Sequence, residues 1–115
     1  MSYYFFDKCP KQAVPQIERL AKELRLEEKT SKSIVPGYRE WEGNPFKRRA
    51  KFDRTLQVNY CPGSKYPLTI QTSPRTNQEQ PDVMVVIRKF IRICKPNQIY
   101  QEPCIPTPYP RETFD

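Results

Sequence analysis

Large aliphatic side chains and phenylalanine are scarce in this 115-residue chain. Leu, Ile, Val and Phe occupy 5, 8, 6 and 6 positions, which is 25 residues or about 22% of the sequence. This share lies close to the value of about 20% below which a highly charged chain is expected to be disordered. Because burial has to offset the conformational entropy of every ordered residue, we expect only a small core. The expected fold class is therefore mostly irregular and extended, with little regular structure.

Proline strengthens this expectation, since the chain has 13 prolines and only 3 glycines. We interpret 1–115 as a single small chain without a large independent core. Five prolines within 96–110 favour extended backbone, because proline lacks the N–H that a helix or a central strand needs. The expected parts are an aromatic arm at 1–13, a helix within 14–30, an extended, turn-rich segment at 31–81, an amphipathic helix at 82–94 and a proline-rich tail at 95–115.

Two segments carry a helical pattern. From Ile17 onward, apolar residues recur at i, i+3, i+4 and i+7, and Pro15 suits the first helical position. In 82–94 the apolar residues also share one helical face, although Val and Ile there leave a strand as the alternative. We predict short α-helices over about 15–29 and 82–94.

A small β-hairpin is predicted over about 54–71. Leu56 and Val58 alternate with Gln57 and Asn59, as in a half-buried strand. The segment 68–71 is the candidate antiparallel partner, across a loop that contains a Pro-Gly turn.

The content of charged residues and histidine limits the classes of function that this chain could have. The chain has 20 Lys and Arg, 13 Asp and Glu and no histidine, which gives a net charge of +7. Without histidine, Ser-His-Asp and Cys-His catalysis and His-ligated metal sites are excluded within this chain. No glycine-rich phosphate loop or nucleophile elbow stands out either, so we expect neither an enzyme nor a cofactor or metal. No apolar run approaches the roughly 18 residues that cross a bilayer, and no presequence is evident.

Two sets of residues are candidates for binding a partner. A basic patch could contact an acidic protein surface or a phosphate backbone, with a solvated patch as the alternative; it consists of Lys47, Arg48, Arg49, Lys51 and Arg54. Aromatic side chains could anchor the chain on a partner, or instead cap its own core. These aromatic residues are Tyr3, Tyr4, Phe5, Phe6, Tyr38, Trp41, Phe46 and Phe52.

The four cysteines show no Cys-x-x-Cys spacing, which argues against a four-thiolate zinc site. Nine residues separate Cys94 from Cys104. This spacing resembles half of the twin Cys-x9-Cys pattern of the coiled-coil–helix–coiled-coil–helix proteins of the mitochondrial intermembrane space. The resemblance implies a disulfide between Cys94 and Cys104, although Pro96 and Pro103 interrupt the helix that the pattern needs. Four reduced thiols are the alternative.

In general character the chain resembles the small inner proteins of ciliary doublet microtubules, which are often basic, rich in Pro and Tyr and laid on acidic tubulin. The likeness is compositional and includes the turns Pro36-Gly37-Tyr38 and Pro62-Gly63. It implies a non-catalytic structural accessory protein that orders on and stabilises a large assembly, in the cytoplasm at the ciliary axoneme. The alternatives are a supernumerary subunit of a mitochondrial respiratory complex or mitoribosome, which the chain also resembles, and a basic nucleic-acid-binding adaptor.

Overall fold

The structure, a computed structural model, describes residues 2–29, 35–45, 55–73 and 81–103. Two α-helices accompany six strands, and a short 3-10 turn, Lys11–Ala13, leads into the first helix. The helices are α1 (Val14–Glu23) and α2 (Pro81–Cys94). The strands are β1 (Ser2–Phe6), β2 (Glu27–Glu28), β3 (Arg39–Gly43), β4 (Thr55–Tyr60), β5 (Leu68–Ser73) and β6 (Ile99–Pro103).

The six strands form one sheet in the order β2-β3-β4-β5-β1-β6, and all neighbours pair antiparallel. The predicted hairpin is present as β4 and β5, the two middle strands of the sheet. The segment predicted to be an aromatic arm contains β1, which is inserted between β5 and β6. The first strand of the described chain is therefore an internal strand of the sheet.

One face of the sheet carries the core. Residues that lie opposite each other in an antiparallel pair point to the same face, and Tyr4, Ile70, Val58 and Trp41 form such a row across four strands. The buried side chains of α1 and α2 belong to the same hydrophobic cluster as this row. Both helices therefore cover this face, which we call the inner face. The opposite, outer face has no helix of the described chain packed on it.

The expectation of a mostly irregular, extended chain is wrong, because the described residues bury one continuous core of twenty side chains. Seven of these are Tyr, Trp, Cys or Ala, which a count of Leu, Ile, Val and Phe omits. Tyr4, Trp41 and Tyr60 are each at most 3% exposed, and aromatic side chains bury large areas. A few aromatic residues thus supply much of the apolar surface that the chain was expected to lack.

Helix ends and edge strands also differ from expectation. The helix expected over 15–29 ends at Glu23, since Arg25 adopts a left-handed conformation (φ 63°) that stops it and directs the chain into β2. The segment expected to be a proline-rich tail contains β6, whose one partner strand among the described residues is β1. Proline is tolerated there because an edge strand leaves half of its backbone N–H groups without a partner strand.

Helix α2 coincides with the helix expected over 82–94. Helix α2 has 14 residues and α1 has 10, so both helices are short. Among the described residues, no helix has the length and apolar character needed to cross a membrane.

Gly43 permits a close approach between the turn after α1 and the sheet. A Cβ atom at this position would lie 2.8 Å from the backbone oxygen of Arg25 and 3.0 Å from Cα of Leu26. Only glycine lets the turn after α1 pack against β3 at this distance. This contact fixes how α1 lies on the inner face, and with it the position of the α1 side chains described next.

Candidate functional site

A shallow groove of about 340 Å³ runs between the outer surfaces of α1 and α2. We call it the basic groove, because three cations, Arg19, Lys89 and Arg92, line it together with one carboxylate. The full set of lining residues is Gln16, Arg19, Leu20, Glu23, Lys89, Arg92 and Ile93.

The helical period places these cations on the surface. Helix α1 buries Ile17, Leu20 and Ala21, so Arg19 falls on its exposed side. Helix α2 buries Val86, Ile87 and Phe90, which turns Arg92 toward solvent and Lys89 toward α1. The two helices contact each other, so side chains far apart in sequence meet in one groove.

Among its described lining residues, the groove has three cations and one carboxylate. Lys89 donates from Nζ to Glu23 Oε2 over 3.2 Å. Within the described ranges, neither Arg19 nor Arg92 has an ion pair with a carboxylate. Arg88 extends the positive surface along α2, next to Val85, whose side chain is 51% exposed. A guanidinium group binds a carboxylate through two parallel hydrogen bonds, so this surface is suited to acidic side chains.

Four aromatic rings form a second feature, the aromatic cluster, on the outer face and the adjoining β4–β5 loop. Tyr3 stacks on Phe5 with a centroid distance of 5.9 Å, and Phe5 lies 5.2 Å from Tyr66. Tyr66 in turn meets Tyr100 edge-on at 5.9 Å. All four are half-buried, and Lys65 places its ammonium group 5.6 Å from the centre of the Tyr66 ring. The cluster covers the β1–β6 end of the outer face.

The structure divides the predicted aromatic anchors between core and surface. Tyr4, Phe6 and Trp41 are buried in the core, where their rings contact this chain. Tyr3 and Phe5 belong to the aromatic cluster and remain the anchors that a partner could reach. Tyr38 is half-buried and donates its hydroxyl to Glu40 Oε1 over 3.2 Å; Phe46 and Phe52 lie outside the described residues.

Other predicted site residues also lie outside the described part of the chain. They are the whole basic patch, Lys47, Arg48, Arg49, Lys51 and Arg54, together with Cys104 of the predicted disulfide with Cys94. The basic groove was not predicted from the sequence. Part of the groove is recognisable in the sequence, because cations at 88, 89 and 92 lie on the polar face of α2. The position of Arg19 beside them depends on how the two helices pack.

A network around Arg39 fixes α1 to the edge of the sheet. Arg39 donates two hydrogen bonds of 2.7 Å to the carboxylate of Glu28 and a further one to Glu18 on α1. Its guanidinium group also lies 5.2 Å from the centre of the Trp41 ring. Hydrogen bonding by Arg39, which outweighs the effect of burial, lowers the pKa of Glu28 below its usual value of 4.5. The ionised form of Glu28 is therefore favoured in the folded state.

This network predicts a small acid-dependent loss of stability. Since the pKa of Glu28 is lower in the folded state, its contribution is present above the unfolded-state pKa and is lost as pH falls through the folded-state pKa. At neutral pH we expect Glu28→Gln to be less stable than the unsubstituted protein by up to about 1 kcal/mol, because the pair is partly exposed. The difference should shrink at acidic pH, as measured by urea unfolding.

Glu27→Gln is the matched control for this prediction. It removes the same charge from the neighbouring position of β2, where the side chain is exposed. We expect it to follow the pH profile of the unsubstituted protein. A stability difference for Glu28→Gln that stays constant with pH would contradict the assigned role of Arg39.

No family model, curated protein or solved structure matches this sequence. Among the described residues, no group of three or more Cys, Asp or Glu side chains could hold a metal ion. The functional proposal rests on the surfaces of the domain, above all on the basic groove.

Proposed function

We propose that this protein is a non-catalytic accessory protein that binds an acidic protein surface within a larger assembly. The observation that carries the proposal is the basic groove, in which Arg19 and Arg92 on neighbouring helices lack carboxylate partners among the described residues. An acidic partner would supply the missing carboxylates. The net charge of +7 would also attract such a partner at long range.

The lining of the groove favours a protein partner over a single-stranded nucleic acid. Ile93, which is half-buried, contributes aliphatic surface beside the arginines, and this suits the methylene groups of glutamate side chains. Single-stranded nucleic acids are bound largely by stacking of bases on aromatic rings. No aromatic side chain is among the described residues that line the groove.

Tubulin is the acidic partner we propose first, with the ciliary axoneme as the place of action. This choice rests on the compositional likeness to microtubule inner proteins and on the charge of the chain. It does not require an extended chain, because the basic groove belongs to a folded domain. A mitochondrial accessory subunit and a nucleic-acid-binding adaptor remain the alternatives, and the experiment below distinguishes the three.

The test is co-sedimentation of the purified chain with microtubules at increasing salt. We expect binding that weakens with salt, since the contacts are ionic and partly exposed. Arg19→Glu with Arg92→Glu should weaken binding at least tenfold, because two ion pairs of up to about 1 kcal/mol each are lost and repulsion replaces them. The matched control is Lys8→Glu with Lys29→Glu, which changes the net charge equally at two exposed positions outside the groove. Its binding should change less than about threefold.

The possible results of these binding experiments test separate parts of the proposal. Equal loss in both double variants would show a general charge effect and would remove the groove from the proposal. Retention on immobilised poly-glutamate without binding to microtubules would keep the acidic partner and exclude tubulin. Binding to RNA but to neither acidic protein would favour the nucleic-acid adaptor. Microscopy of the tagged protein in ciliated cells would separate an axonemal from a mitochondrial location.

A further inference from the structure

Two cysteine thiols meet inside the core. Cys9 follows β1, Cys94 is the last residue of α2, and their sulfur atoms lie 2.8 Å apart although the residues are 85 positions apart in sequence. Cys9 is 6% exposed and Cys94 is fully buried. The sulfur of a disulfide lies about 2.05 Å from its partner, so a shift of less than about 1 Å would allow these two sulfurs to bond.

The surroundings of the two thiols differ. Cys9 lines a surface depression of about 390 Å³, whereas Cys94 does not reach it. Lys8 and Lys11 are exposed at this depression, so its rim attracts anions. Asp7, the carboxylate there, accepts hydrogen bonds from the backbone N–H groups of Asn97 and Gln98. A small anionic molecule in this depression would therefore approach Cys9 rather than Cys94.

The electrostatics assign different roles to the thiols. The hydrogen bond from Cys94 lowers the pKa of Cys9 below its usual value, against the opposing effect of burial. The same hydrogen bond and burial raise the pKa of Cys94. Cys94 also lies at the C-terminus of α2, where the helix dipole disfavours negative charge. Cys9 therefore forms a thiolate more readily than Cys94. In a thiol–disulfide exchange, Cys9 would attack first and Cys94 second.

We propose that Cys9 and Cys94 form a dithiol–disulfide couple that exchanges with glutathione disulfide at the depression beside Cys9. The Cys9 thiolate attacks one sulfur of glutathione disulfide, the glutathione S–S bond breaks, and one glutathione leaves as its thiolate. Cys94 then loses its proton and attacks the Cys9 sulfur of the mixed disulfide. The second glutathione leaves, and the released protons neutralise the thiolates. Two cysteine thiols are oxidised, and one glutathione disulfide is reduced to two glutathione molecules.

The bond would join the connection after β1 to the end of α2, at opposite ends of the described sequence. A cross-link between residues this far apart removes much of the freedom of the unfolded chain. We expect the oxidised protein to melt roughly 10–20 °C above the reduced protein. The ratio of glutathione to glutathione disulfide would thereby set the stability of the domain.

The experiment equilibrates the purified full chain in buffers of defined glutathione to glutathione disulfide ratio, then traps free thiols by alkylation after acid quenching. We expect peptide mapping to find a linked pair of peptides that contain Cys9 and Cys94. Cys94→Ser should instead accumulate a stable glutathione adduct on Cys9. Cys61→Ser is the matched control and should oxidise like the unsubstituted protein, because Cys61 is a half-buried free thiol outside the pair.

Peptide mapping of the unsubstituted protein decides the matter even where a variant fails to fold. A link between Cys94 and Cys104 would overturn the proposal, as would full alkylation of both Cys9 and Cys94 at every glutathione ratio. Faster glutathione labelling of Cys61 than of Cys9 would overturn the role assigned to the depression. These outcomes do not depend on the basic groove, so they leave the proposed partner unaffected.

Discussion

Replacing Ile70 by asparagine is expected to lower the free energy of unfolding by about 4 kcal/mol or more. Ile70 is fully buried at the centre of the inner face, paired with Tyr4 on one side and Val58 on the other. The substitution removes aliphatic contacts and buries an amide without a partner, which together cost about 4 kcal/mol or more. Small domains are stable by only about 5–15 kcal/mol, so this cost is a large part of the total stability.

Thr69→Asn is the matched control, one position away on the same strand. Thr69 points to the outer face between Phe5 and Asn59, so a polar side chain there stays near water. We expect its unfolding free energy to change by less than about 1 kcal/mol. Circular dichroism and the dispersion of amide NMR signals give the readout. Similar behaviour of the two variants would contradict the register of β5 and the assignment of its faces.

Replacing Phe90 by alanine is expected to lower the free energy of unfolding by about 3–5 kcal/mol. Phe90 lies on the buried side of α2 and is fully enclosed, so the truncation leaves a cavity that the sheet and helix cannot refill completely. The loss should appear as a lower urea midpoint with a cooperative transition. Urea unfolding followed by circular dichroism measures it.

Val85→Ala on the same helix is the comparison for Phe90→Ala. Val85 is 51% exposed, and alanine favours the helix slightly more than valine does, so the change should lie within about 0.5 kcal/mol of zero. A Phe90→Ala variant as stable as Val85→Ala would mean that α2 does not pack on the sheet.

The parts of the fold that sequence reasoning predicts are those with a local signal. Helix α2 has a full apolar face, and the alternation of Leu56 and Val58 with polar neighbours marks β4. The β4–β5 hairpin connects strands that are adjacent in sequence and in the sheet. Each of these features can be read within a window of about 20 residues.

The other strands lack such a signal. In β1, residues 3–6 alternate between the aromatic cluster on the outer face and the core on the inner face. All four are aromatic, so the sequence shows no alternation of polar and apolar residues. In β3 only Trp41 is buried, between charged neighbours. The prolines near β6 indicate extended chain but not pairing, and its partner β1 lies more than 90 positions away. Composition and period describe local preference, whereas these strands are fixed by pairing across the sequence.

The surface sites show the same difference between features with a local sequence signal and features that depend on contacts between distant segments. Arg88, Lys89 and Arg92 are recognisable as the polar face of one helix, but Arg19 reaches them only through the packing of α1 on α2. Tyr66 and Tyr100, which complete the aromatic cluster, lie in a loop and an edge strand with no shared period. The Cys9–Cys94 contact likewise has no counterpart in cysteine spacing.

The position of β1 between β5 and β6 affects how the chain must fold during synthesis. The ribosome makes β1 before either of its partners, and at about 5–20 residues per second roughly 5–20 s pass before β6 is complete. Until β5 emerges, the tyrosines and phenylalanines of β1 have no strand beside them, and until β6 emerges one edge of β1 stays unpaired. Sheet completion is therefore a late step that spans nearly the whole described chain. Pairings between such distant segments form slowly, typically in milliseconds to seconds.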